Sequence, residues 1–143
     1  MYETHYHRPG SLAEATKAFS AGSDPRYLAG GQTLIPTMKQ RLSAPSDVID
    51  ISKLGELKGI SAGSDMVTIG AGVTHFEVAT SDAVKKAIPA LAYLAGLIGD
   101  PAVRNRGTIG GSLANNDPAA DYPAAVLGLG ATIHTSKRTI AAE

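Results

Sequence analysis

Residues 105–121 read NRGTIGGSLANNDPAAD. Gly110 and Gly111 stand before helix-forming residues, Ser112 places a hydroxyl beside them, and Asp121 follows ten positions after Gly111. A diglycine before a helix can take up positive φ and lets backbone approach a ligand closely. It also aims unpaired amides, together with the helix dipole, at an anion. A simple tight turn is the other reading of such a pair. Pro118 disfavours helix at Asp117, so the chain is expected to stop there and restart with Asp117 as cap. Asp121 then falls one turn into the new helix. There it either accepts hydrogen bonds from two ribose hydroxyls, as acidic residues do in dinucleotide sites, or simply favours the helix N-terminus.

A second diglycine, Gly30 and Gly31, stands in a similar setting. It comes directly off the strand-like RYLAG and is followed by Gln32, Thr33 and a helical stretch. Two such loops facing each other would cradle a diphosphate from both sides. The stretch GAGVTH, residues 70–75, imitates a dinucleotide fingerprint, but His75 occupies the third glycine position, which exists for close helix–strand packing. No GxxxxGK[ST] occurs, so nucleotide hydrolysis has no support.

Outward from these loops the elements fall into two groups. THYHRP reads as a strand stopped by Pro9 and Gly10. Ser11 and Glu14 form a capping box for a helix whose stripe is Leu12, Ala15 and Phe19, ended by Gly22. RYLAG is a second strand, LIPTMKQRL a helix with Leu34, Met38 and Leu42 on one face, and DVIDI a third strand. These make a β-α-β-α-β lobe over residues 1–53. From residue 54 to 143, ELKGISAGSDMVTIGAG alternates as a hairpin turning at Gly63, Ser64 and Asp65. Thr74 and Glu77 form a capping box, Ser81 caps another helix, and Pro89 opens a third with Leu91, Leu94 and Ile98 on one face. An alanine-rich helix from Pro118 to Leu127 and the strands ATIHT and RTIAAE complete the chain. Local hairpins beside segregated helices predict an α+β fold.

Composition excludes several classes of function. The 143 residues are 43% hydrophobic and 18% charged, with lysine plus arginine equal to aspartate plus glutamate at 13 each. No long-range field favours nucleic acid. The absence of cysteine excludes disulfides, a thiol nucleophile and an iron–sulfur cluster held by this chain. His5 and His7 share one face of their strand, where an exposed strand face is a commoner outcome than a metal site, and no metal is expected. The start MYETHYHRPGS lacks the features of a secretory signal, and PALAYLAGLIG is too short to span a bilayer. A cytoplasmic protein is expected, with partners able to hold it at the inner face of the membrane.

Tyr27–Ile51 and Gly99–Ile133 resemble the FAD-binding subunits of molybdenum hydroxylases, with YHRPGSLAEA and IGAGVTH in the same manner. The resemblance is nearest to the medium subunit of carbon monoxide dehydrogenase and more distant to the flavin domain of xanthine dehydrogenase. It implies a two-lobed FAD-binding domain of the vanillyl-alcohol oxidase and molybdopterin dehydrogenase type, with FAD between the lobes. Position by position, Ala29, Gly30, Gly31, Gln32, Thr33 and adjoining Leu34 would form one pyrophosphate-binding loop. Thr108, Ile109, Gly110, Gly111 and Ser112 would form the other. Asp121 matches the aspartate on the adenosine side, and Ile98 an apolar FAD contact.

The implied function is electron relay by an oxidoreductase subunit. A molybdopterin large subunit oxidises the substrate, a [2Fe–2S] small subunit passes electrons on, and FAD delivers them to quinone, NAD or oxygen. No catalytic acid, base or nucleophile is expected of this chain, since the flavin carries the redox chemistry. Family members continue beyond the length seen here with the rest of the flavin lobe and a further domain. The alternative expectation is therefore a truncated assembly module that keeps the fold without retaining FAD.

Overall fold

His5–His7 forms strand β1, and Ser11 then caps helix α1, Leu12–Ala21, its Oγ accepting from the Glu14 amide at 3.2 Å. The computed structural model describes residues 2–142. The expected capping box is only half formed, because the Glu14 carboxylate reaches one residue further back and accepts from the Gly10 amide at 2.7 Å. Strand β2 (Pro25–Leu28), helix α2 (Leu34–Lys39) and strand β3 (Asp47–Asp50) complete the expected β-α-β-α-β order.

The three strands form a parallel sheet in the order β1-β3-β2, with Tyr6 and Arg26 flanking Val48 in register. The helical crossovers impose the parallel arrangement. Adjacent residues Val48 and Ile49 are both buried, so the central strand is covered on both faces.

Two details differ from the sequence reading. Gly22 ends α1 in an extended conformation, φ −78°, rather than a left-handed one. Its missing side chain instead leaves room for Asp47, whose Oδ2 would lie 2.7 Å from a Cβ there. Helix α2 stops at Lys39 and Arg41 turns the chain at φ 61°, so Leu42 is exposed rather than aligned with Met38.

A 3-10 turn, Gly55–Leu57, leads to the hairpin of β4 (Ile60–Ala62) and β5 (Val67–Ile69), antiparallel with Ile60 opposite Ile69. The Gly63 amide closes the hairpin turn on the Met66 carbonyl at 2.8 Å. Helices α3 (His75–Thr80), α4 (Asp82–Ala87), α5 (Pro89–Leu97), α6 (Pro101–Arg104), α7 (Ile109–Asn115) and α8 (Asp121–Gly128) follow. Strands β6 (Thr132–His134) and β7 (Thr139–Ala141) pair as a final hairpin. The Thr74–Glu77 box is complete, Ser81 caps α4, and Pro89 opens α5, each as expected.

Two apolar clusters hold these parts. The larger gathers Val73, Val78, Val84, Leu91, Ala95, Ile109 and Tyr122, with Leu94 and Ile98 against it. The smaller joins Ala15, Ile49 and Leu54 with Phe19, Ile51 and Leu57. Leu54 and Leu57 therefore pack with the parallel sheet although they lie beyond residue 53. The architecture is α+β, with its parallel sheet formed by β1, β2 and β3.

Helix α8 begins at Asp121, not at Pro118. Asp117 does not cap it, because its Oδ1 accepts from the Ala119 amide at 2.9 Å and its carbonyl accepts from Ala120 at 3.0 Å. This Asx turn satisfies the local backbone outside any helix. Asp121 is consequently the first helical residue rather than one turn in.

Candidate functional site

Strand β2 delivers the first glycine loop. Gly31 adopts φ +76°, the left-handed region in which glycine is at ease. The amides of Gly30, Gly31, Gln32 and Thr33 have no acceptor among the described residues. Thr33 occupies the N-cap position of α2, but its side chain makes no capping bond. Leu34 is the first helical residue and is half-buried. Four consecutive unpartnered N–H groups at a strand-to-helix turn are receptive to a phosphate-like anion.

The second loop is built differently. Thr108 is extended and buried, pairs across an isolated bridge with Thr74, and caps α7 by accepting from the Gly111 amide at 3.0 Å. Ile109 donates to the Val73 carbonyl at 3.0 Å, Gly110 to Ala71 at 2.9 Å and Ser112 to Thr108 at 3.0 Å. Gly110 and Gly111 thus lie inside the helix, and their amides are already engaged. The expectation of free amides holds at Gly30 and Gly31 but not here.

The second diglycine is bare for a packing reason. A Cβ on Gly110 would fall 2.6 Å from the Ala71 carbonyl oxygen, and one on Gly111 would fall 2.8 Å from Thr108 Oγ1. Ile109 is 7% exposed, so its side chain serves the core.

The fold brings the two loops together. A Cβ on Gly30 would lie 2.1 Å from the Arg106 carbonyl oxygen and 2.7 Å from Gly107 Cα. A Cβ on Gly111 would lie 3.9 Å from that of Ala29. Asp121 stands exposed at the start of α8, and its carboxylate forms no hydrogen bond or ion pair among the described residues. Ile98 ends α5, half-buried against the large core, with its carbonyl accepting from Arg104 at 3.2 Å.

The sequence marks His75 only as the residue that breaks a fingerprint. In the fold it is 5% exposed, its amide donates to the Gly107 carbonyl at 3.0 Å, and its ring lies 5.3 Å from that of Tyr122. Burial pulls its pKa below the ordinary value, opposed by the charge of Asp121. Elsewhere, His7 Nε2 sits 2.7 Å from Asp47 Oδ1, and Ser46 donates to Asp47 Oδ2 at 2.6 Å. The bonds from Ser46 and then His7 hold the Asp47 carboxyl below its usual value. The surface depression beside it, lined by His7, Glu14, Lys17 and Asp47, shares no residue with the glycine loops. Among the described residues no helix is long and apolar enough to cross a membrane.

A family model for the FAD binding domain in molybdopterin dehydrogenase matches residues 2–143. The carbon monoxide dehydrogenase medium chain of Hydrogenophaga pseudoflava is 45% identical over 120 residues, 83% of this chain and 42% of that protein. The glyceraldehyde dehydrogenase medium chain of Sulfolobus acidocaldarius is 41% identical over 131 residues, 92% of this chain and 47% of that protein. Among solved structures, quinoline 2-oxidoreductase from Pseudomonas putida 86 aligns with a TM-score of 0.93 and 38% identity, covering 98% of this chain and 50% of that one. The chain spans about half the length of the curated relatives it matches. With the match running along almost the whole sequence, the chain belongs to the FAD-binding domain family of the molybdopterin dehydrogenases.

Proposed function

We propose that this chain holds FAD at the meeting of its two glycine loops and serves as the electron-transfer part of a molybdenum hydroxylase. The observation that carries this reading is the run of unpartnered amides from Gly30 to Thr33, whose first residue packs against the backbone of Arg106 and Gly107. Those N–H groups supply donors for the diphosphate, and the family supplies the identity of the cofactor. The segment Thr108–Ser112 contributes shape rather than free amides, apart from the Ser112 hydroxyl. Asp121, exposed at the first position of α8, is the proposed ribose partner on the adenosine side, with Ile98 as an apolar contact. The proposed lobes divide near residue 53, with Leu54 and Leu57 packed on the N-terminal side.

When bound, FAD accepts electrons and passes them on, which leaves this chain the tasks of binding and orientation. No side chain is assigned as acid, base or nucleophile. The lack of cysteine supports an iron–sulfur centre on a separate small subunit and a molybdopterin centre on a large one. The medium-chain names of the relatives support the same multi-subunit arrangement. Electrons then leave for quinone, NAD or oxygen, and the cytoplasm is the proposed compartment.

The test is a titration of the purified protein with FAD, FMN and riboflavin, followed by flavin fluorescence. Saturable binding of FAD with at least about tenfold preference over FMN is expected, a difference of about 1.4 kcal/mol. Equal affinity for riboflavin, or no binding of any flavin, would overturn the reading.

A further inference from the structure

The segment Ala71–His75 and the segment Gly107–Gly110 are laced together by backbone. Gly110 donates to Ala71, Ile109 to Val73, and His75 to Gly107, with Thr74 and Thr108 bridged between them. The His75 side chain extends this contact beneath the loop. A Cβ on Gly107 would lie 2.5 Å from His75 Nε2, so the bare glycine makes room for the imidazole. On its other side the ring meets Tyr122, the fully buried residue that follows Asp121 at the start of α8. One imidazole therefore touches both the second glycine loop and the helix turn that carries Asp121.

His75 Nδ1 and the Tyr122 hydroxyl are both buried and have no hydrogen-bond partner among the described residues. Leaving two such groups unsatisfied in a core is costly. Their rings pack 5.3 Å apart, inclined by 37°, so the two unpartnered groups belong to one contact, and a buried water is the usual partner of such groups.

We propose that His75 and Tyr122 are positioning residues, joined through one buried water between Nδ1 and the phenol, that fix the Thr108–Ser112 loop relative to Asp121. The consequence for FAD rests on the function proposed above, whereas the pairing itself does not.

The charges around the ring favour a neutral imidazole. Burial opposes the imidazolium, and the exposed Asp121 carboxylate only partly offsets it. Arg104, from α6, is committed to the Ile98 and Gly99 carbonyls, and Glu77, on the same helix as His75, to Thr74. Burial, then the charge of Asp121, pushes the Tyr122 phenol far up, so it stays protonated. Arg106, beside Gly107, is exposed to solvent.

Tyr122→Phe provides the deciding test, because it deletes a buried hydroxyl without changing the ring. If the hydroxyl is a bare orphan, the variant gains stability; if it holds the pair, the variant loses it. The expected results are a lower Tm, FAD binding weaker by about tenfold, and shifted amide resonances at Thr108–Ser112 in the FAD-free protein. An unchanged or higher Tm, or unmoved loop resonances, would overturn the proposal even if the wild-type protein bound no flavin at all. That last result alone would count against the proposed function instead. Should wild-type bind FAD and Tyr122→Phe bind it equally well, the positioning role falls. His75→Asn, whose amide can stand near the position of Nδ1, is expected to keep more FAD affinity than His75→Leu. Equal losses in the two variants would overturn the role of Nδ1.

Discussion

Gly30 lies against the backbone of Arg106 so closely that a Cβ on it would fall 2.1 Å from the Arg106 carbonyl oxygen. The contact joins the turn after β2 to the approach of α7, which lie far apart in sequence. Backbone on one side and backbone on the other leave no rotamer to absorb a methyl group. The glycine is therefore the condition for the two loops to meet.

Gly30→Ala is expected to force the loops apart at a cost of about 1–3 kcal/mol, the range for overpacking a close contact. FAD affinity should fall about tenfold or more, read by fluorescence titration alongside thermal denaturation. Gly55 is the control, since a methyl group added there would meet nothing within 4 Å, and Gly55→Ala should stay within about 0.5 kcal/mol of wild-type. A Gly30→Ala protein with unchanged Tm and affinity would refute the account of this contact.

Thr108 caps α7 through its hydroxyl, which accepts from the Gly111 amide at 3.0 Å while the residue is 5% exposed. Thr108→Val keeps the shape and removes the acceptor. The expected cost is about 1 kcal/mol, or a fall in Tm of about 4 °C for a chain of this size. Thr108→Ser should retain most of the stability. If valine and serine behave alike, the cap is not what holds this turn.

The Thr74–Glu77 box gives a pH signature. Burial pushes the Glu77 carboxyl up, but bonds from the Thr74 amide at 2.7 Å and hydroxyl at 2.8 Å, with Lys58 nearby, outweigh it and hold the carboxyl below its ordinary pKa. A carboxylate depressed in the folded state adds stability above its unfolded pKa and loses it as pH falls through the folded value. Glu77→Ala should thus be less stable than wild-type at neutral pH by about 1 kcal/mol, and the gap should close in acid. Denaturation midpoints measured from neutral pH downward test this. A gap independent of pH would mean that the carboxylate charge is irrelevant.

The Thr108 cap was not read from the sequence, whereas the Thr74–Glu77 box was legible there because its partners lie three residues apart. The same applies to the Ser81 cap, and to the β4–β5 hairpin, whose alternation fixes which side chains face inward. The two diglycines were also legible as a pair. Their different uses were not, since the Gly110 amide is taken by the Ala71 carbonyl, a partner only the tertiary fold supplies. Asp117 misled because an Asx turn and an N-cap draw on the same side-chain oxygen, and the sequence does not say which amide will reach it. His75 was invisible as a buried residue, because its pocket exists only where Gly107 and Tyr122 converge on it.

Asp121 separates ligand binding from helix electrostatics. At the first position of α8 its charge interacts with the helix dipole, a surface effect of about 0.3–1 kcal/mol. Asp121→Asn removes that charge but keeps a side-chain oxygen, whereas Asp121→Ala removes both. If the residue serves only the helix, both variants should show the same small loss of Tm and unaltered FAD binding. As a ribose partner it should make FAD affinity fall about tenfold in Asp121→Ala, with a smaller loss in Asp121→Asn, out of proportion to any change in stability. FMN lacks the adenosine end, so its affinity should not respond to either substitution. A parallel loss for FMN would place the effect in the fold of α8 and remove Asp121 from the cofactor site.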